Sequence, residues 1–181
     1  MRIGDHVNRS GLFWLMIGSS TLGLPLAAQA PGNTSLSEPG LYSLYAKRHE
    51  MTAAFANLAV VGGADGDVRK AAEALGHAHG EAGEKLKRAA STRHLTLVPP
   101  EHDTSTVLLE QARAALEGKQ GRAFDSTWVN LGNAWLSTLI LDNNRTVKAR
   151  IGPELQPIAR EHTIWLFHQS ADIEKLRKKY K

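Results

Sequence analysis

The chain of 181 residues has no cysteine. This excludes a thiol nucleophile, a thiolate-ligated zinc, an iron–sulfur cluster, disulfide stapling and a lipid anchor on an N-terminal cysteine. Proline is sparse (7 residues), aromatics make up 6% and charged residues 22%, which excludes collagen-like, proline-rich and strongly disordered chains. Beyond residue 30 no apolar run approaches the roughly 20 residues of a membrane-spanning helix. There is no Gly-x-Ser-x-Gly elbow and no phosphate-cradling glycine loop, because Gly62-Gly63 follows a helical pattern and reads as its stop. Glutamate is also missing three residues before every histidine from His49 onward. Those positions hold Ala46, Ala74, Gly76, Ser91, Pro99, Ala159 and Trp165. The Glu-x-x-His pairs of a di-iron bundle are therefore absent, which argues against an iron oxidase or peroxidase.

What is present begins with an export signal. Arg2 and Arg9 form a positive n-region, Leu12-Phe13-Trp14-Leu15-Met16-Ile17 opens an apolar core, and Pro25 precedes the small-x-small pattern Ala28-Gln29-Ala30. Residues 1–30 are expected to be a cleaved signal peptide, 31–37 a flexible leader and 38–181 the folded unit. Ser19, Ser20, Thr21, Gly23 and Pro25 make an uncleaved anchor a poor alternative. The location expected is the periplasm, the outer membrane or the medium.

The net charge of +4 suggests a nucleic-acid partner until its distribution is read. Five cations, Lys175, Arg177, Lys178, Lys179 and Lys181, fall in the last seven positions, and the body before them is slightly acidic. A basic tail on such a body is a helix end and not a nucleic-acid groove. Weak attraction to anionic lipid or cell wall is the alternative reading of it.

Apolar residues recur at helical spacing in five stretches. Leu41, Leu44, Tyr45, Thr52, Phe55 and Ala59 mark a helix from Glu38 to Val61. Val68, Ala72, Leu75, His79, Ala82, Leu86 and Ala89 mark a second, capped by Asp65 and ending near Ser91. A short helix runs from Thr104 or Ser105 to Leu116. Phe124, Trp128, Leu131, Trp135, Thr138 and Leu141 mark another long one, with a break expected at Asp142-Asn143-Asn144. Pro153 opens the last, with Leu155, Ile158, His162, Trp165, Leu166, Gln169, Ile173 and Leu176 on one side. The pattern predicts an all-α, antiparallel four-helix bundle with one extra short helix.

Several of these residues match a family. Ala59 followed by Val68, His79 followed by Leu86 and Leu97-Val98-Pro99, and Phe124-Asp125 followed by Trp128 resemble motifs of the bacterial domain-of-unknown-function 4142 proteins. The resemblance spans about residues 41–177. It implies an exported, ferritin-like bundle, often labelled an outer-membrane protein, in a family without an established activity. The chain departs from the family's polar interior. Ala78 stands where an Asp precedes the second-helix histidine, Trp135-Leu136 where a later Asp-His pair is usual, and Ile164 where the last helix carries Pro. Gln169 or His168 lies near the position of the final family histidine.

The chemistry expected is modest. His79 and His162 lie on apolar seams and are the candidate metal ligands, with His49, Glu50, Glu161 and Gln169 as possible additions. Zn, Cu or Ni is the ion class that such imidazoles suit. The plainer alternative is that each is a buried histidine bonded to Gln169, Thr138 or a carbonyl, and that no cofactor is held. His77 points away from His79, since helical residues two apart do not share a face. Trp128, Trp135 and Trp165 read as core, with a ligand cavity as the alternative. The expectation is an exported protein with a binding or structural role and no catalysis of its own. A metal-binding or redox bundle and a tail-attached envelope protein are the alternatives.

Overall fold

The structure, a computed structural model, describes residues 35–100 and 103–180. The expected signal peptide and its processing site at Ala28 and Ala30 lie outside the described residues, as do His102 and Lys181. The helices are α1 (Glu38–Gly62), α2 (Gly66–Thr92), α3 (Ser105–Leu116), α4 (Gly121–Asp142), α5 (Lys148–Arg150) and α6 (Gln156–Arg177). A π-helical segment, Asn143–Val147, joins α4 to α5, and 3₁₀ turns at Pro153–Leu155 and Lys178–Tyr180 flank α6. No strand occurs among the described residues.

Local chemistry sets the helix ends. The Ser37 hydroxyl accepts from the Gly40 amide at 3.3 Å and Asp65 accepts from the Asp67 amide at 2.8 Å, each satisfying an amide of a first turn. Asp103 does the same for α3, accepting from the Ser105 amide at 3.0 Å. Gly118, at φ +70°, closes α3 in a conformation that an L side chain rarely adopts.

Helix α1 is the centre of the fold. From Gly40 to Thr52 nearly every residue is buried, so it lacks the polar face of a surface helix. It runs antiparallel to α2, with His49 opposite His79. A Cβ on Gly83 would stand 3.3 Å from the His49 Cβ, and one on Gly76 would stand 3.4 Å from the Ala56 Cβ. These glycines let the two backbones approach closely. Helices α4 and α6 also run antiparallel, with Gly132 against Ile173 and Asn143 against Thr163.

The apolar core has two parts. One gathers Phe55, Ala59, Val68, Leu75, Leu109, Trp128, Leu136, Leu139, Leu166 and Ile173. The other gathers Leu36, Leu41, Leu44, Tyr45, Val147, Ile151 and Leu155. On α1 the polar residues Arg48, His49 and Thr52 fall between them. The tryptophans fill space as packed core. Trp128 and Trp135 stack on Phe55 with ring centroids 5.3 and 5.0 Å away, and their indole N–H groups donate to the Phe55 carbonyl and the Thr52 hydroxyl.

Two local expectations need correction. The break at Asp142-Asn143-Asn144 is a continuation of the helix through the π segment, because Asn143 is drawn inward to bond with α1 and α6. The end of the expected leader is docked: Leu36 is buried and its amide donates to the Arg150 carbonyl at 2.6 Å.

Asp125, buried at the start of α4, accepts from the Ala64 and Asp65 amides at 3.0 and 2.9 Å and so pins the α1–α2 turn to α4. Charge-assisted bonds of this kind are the stronger class. Asp125→Ala is expected to lower unfolding free energy by about 2–4 kcal/mol, read from the urea midpoint.

Candidate functional site

The polar layer of α1 brings three histidines together. Tyr45, Arg48, His49 and Thr52 follow the three-and-four spacing of one helical face. His49 meets His79 of α2, with the two Nδ1 atoms 3.1 Å apart. From α6, His162 stacks on Tyr45 at a centroid distance of 3.9 Å and stands edge-on to His49 at 5.1 Å. Trp165 closes the group, 4.5 Å from His79 and 5.0 Å from His49, in T-shaped contacts. All three imidazoles are buried, at 2%, 1% and 9% exposure for His49, His79 and His162.

Burial decides their charge. Desolvation, reinforced by the Arg48 guanidinium, pulls His49 down to about 4. Desolvation pulls His79 and His162 well below the ordinary histidine value, with His49 as the next cause for each. The rings are neutral at pH 7. The short Nδ1–Nδ1 contact is then a hydrogen bond in which one ring carries its proton on Nδ1 and the other accepts there. The Nε2 atoms of His79 and His162 are buried without a partner.

The rest of the layer ties helices together. Arg48, 1% exposed, pairs through Nη2 with Asp142, while its Nε and Nη1 lack partners. Desolvation lowers the Arg48 guanidinium to about 10, which leaves it charged at pH 7. The Tyr45 hydroxyl donates to Asn143 Oδ1 at 2.5 Å, and burial holds that phenol well above its ordinary range. Asn143 Nδ2 in turn donates to the Ala159 carbonyl at 2.8 Å and the Thr163 hydroxyl at 2.6 Å. A π segment places such a residue inside the bundle, where a regular turn points it elsewhere.

The candidate ligands divide. His49, His79 and His162 converge. Glu50 is exposed and pairs with Lys47, Glu161 is exposed, and Gln169 is half-buried, so none of these three joins the cluster through a recorded bond. The expected bonds from the histidines to Gln169 or Thr138 are replaced by the His49–His79 pair, and the Thr138 hydroxyl donates to the Ala134 carbonyl instead. His77 is exposed beside Glu81. Among the described residues, no three His, Asp or Glu side chains already stand in the geometry of a metal site. Sequence reasoning missed Tyr45, Arg48, Asp142 and Asn143. The signal for the first two was their spacing with His49 and Thr52.

This is an all-helical bundle with a buried imidazole–aromatic layer between two apolar ones. The family described as "Domain of unknown function (DUF4142)" matches residues 24–176, and the chain belongs to it. No curated protein and no solved structure matches the chain.

The lowered histidine values make stability depend on pH. The unfolded chain takes up protons near 6.5, whereas folded His49 waits until about 4. Stability is therefore full above 6.5 and falls as pH drops below it, by up to about 1.4 kcal/mol per pH unit for each histidine. Urea midpoints from pH 8 to 4.5 are expected to be flat to about 6.5 and then decline. His79→Gln makes that decline shallower.

Proposed function

We propose that the protein is exported to the cell envelope or beyond and performs a binding or structural task there without catalysing a reaction. One observation carries the non-catalytic part. The histidines, the residues best suited to acid–base work at neutral pH, are turned on one another and on aromatic rings, away from the surface. Two surface depressions lie elsewhere, one beside Leu58, Arg113 and Phe124 and the other beside Lys148, Gln156 and Arg160. Neither is lined by the cluster.

Export rests on the charge and hydropathy of residues 1–30 and on the small residues Ala28 and Ala30. No described helix is long and apolar enough to cross a membrane. Attachment through the basic tail is less well supported. Lys175 pairs with Asp172, Arg177 with Glu174, and Lys179 with Asp65 and Asp67, so these cations already have acidic neighbours. The Tyr180 hydroxyl also donates to Asp65 at 2.9 Å, which holds the tail against the α1–α2 turn.

Fractionation of expressing cells with intact-mass analysis tests the reading. The expected product is outside the cytoplasm and begins at Pro31. Replacing Ala28 and Ala30 together by arginine is expected to leave the full-length precursor. A wild-type chain that keeps residues 1–30 and stays in the cytoplasm overturns the proposal.

A further inference from the structure

We propose that the outer face shared by α4 and α6 is a docking surface for an anionic phospholipid membrane. The inference rests on the reading of the protein as an exported binding protein and names the surface it binds.

Three large apolar side chains meet on this face. Leu141, Ile164 and Phe167 are 50%, 49% and 54% exposed. Their neighbourhood follows from the contact between the two antiparallel helices. Asn144 Oδ1 lies 3.5 Å from the Thr163 hydroxyl. Leu141 precedes Asn144 by one turn and Phe167 follows Thr163 by one turn, so both lie on the same side of that contact. Ile164 stands one turn before Phe167. A single exposed apolar residue needs no explanation, whereas three together mark an interaction surface.

The second observation is charge. On α6, Gln156, Arg160, Ile164, Phe167 and Ala171 recur every three or four residues and form one stripe. Its first turns carry the depression lined by Lys148, Pro153, Gln156, Pro157 and Arg160. Two bonds hold the walls: Gln156 Nε2 donates to the Lys148 carbonyl at 2.8 Å, and Lys148 Nζ donates to Asn144 Oδ1 at 2.9 Å. Arg145, four residues beyond Leu141, is exposed, as is Arg160. Among the described residues, Arg145, Lys148 and Arg160 form no ion pair. The nearby acids are engaged elsewhere. The Glu154 carboxylate lies against Gly152, and Glu174 pairs with Arg177.

Apolar side chains flanked by unpaired cations suit the boundary of a charged bilayer. The apolar groups enter the acyl region while the cations meet lipid phosphates. No described helix is long and apolar enough to cross a membrane, so the contact is peripheral. A second copy of the chain fits the face poorly, because two such stripes set against each other bring cations close to cations. The C-terminal cations differ from these in having acidic neighbours already.

The test is sedimentation of the purified protein with vesicles of phosphatidylglycerol and phosphatidylcholine, against vesicles of phosphatidylcholine alone. Binding to the anionic vesicles only is expected, and it weakens at least tenfold between about 0.1 and 1 M salt as screening sets in. Arg145→Glu with Arg160→Glu, and separately Ile164→Ser with Phe167→Ser, each weaken it at least tenfold. Lys70→Glu with Lys119→Glu makes the same change of charge at exposed sites elsewhere and leaves most of the binding. All these side chains are exposed, and circular dichroism checks that the variants fold. Because the chain has no cysteine, a nitrobenzoxadiazole dye placed on Phe167→Cys reports insertion. It is expected to brighten with anionic vesicles, whereas the same dye on Lys70→Cys stays dim.

A folded protein that does not sediment with anionic vesicles overturns the proposal. Equal binding to neutral vesicles, or binding kept by both face variants, overturns it too. A dimer lost on Ile164→Ser with Phe167→Ser, without vesicle binding, assigns the face to a second copy instead. Each of these failures leaves the export reading standing, since cytoplasmic retention of an unprocessed chain is what overturns that.

Discussion

Where α1 is buried, no water reaches its polar side chains, and the helix carries four of them on one face. Each is answered by another segment. Tyr45 reaches Asn143 in the π segment, Arg48 reaches Asp142 of α4, His49 reaches His79 of α2, and Thr52 accepts from Trp135 of α4. Apolar stripes alone bring helices together with little choice of register. Buried polar pairs add that choice, because a misplaced helix leaves a donor or acceptor unsatisfied. The arrangement of α2, α4 and α6 around α1 follows from this requirement.

Much of the fold was legible in the spacing of apolar residues. Leu41, Phe55 and Ala59 marked the buried side of α1, and Val68, Ala72, Leu75 and His79 that of α2. The α2 seam then drifts to Gly83 and Ala90 where Ala82 and Ala89 were expected, as an untwisted helix does against a three-and-four repeat. The π segment was not legible. Asp142-Asn143-Asn144 has the composition of a turn, and only the distant partners Tyr45, Ala159 and Thr163 make it helical. Leu36 was missed for the same reason, since its pocket is built by Val147, Ile151 and Leu155 far along the chain.

The candidate site was half legible. Seam positions identified His79 and His162, and a helical wheel places His49 beside the first seam. Sequence spacing carries no information about which faces meet, so Glu50 and Glu161 were natural candidates as neighbours of the histidines. Both turn to solvent. Arg48 was unread because an arginine on a helix is ordinarily exposed, and its burial depends on Asp142.

Membership in the family, together with the resemblance described above, gives the cluster its context. Ala78, half-buried, precedes His79 on α2. On α4, Trp135 stacks on Phe55. Among the described residues no carboxylate bonds to these rings, and the neighbouring Arg48 disfavours imidazolium at His49 and His162. The account's central claim is that this layer holds neutral imidazoles, two of them sharing a proton. Long-range ¹H–¹⁵N correlation spectra of the histidine rings in metal-free protein test it most directly. The account predicts that His49, His79 and His162 stay neutral from pH 8 to 5.5, with one of the His49–His79 pair in the Nδ1–H form. Titration of these rings near 6.5 in the folded protein would contradict it.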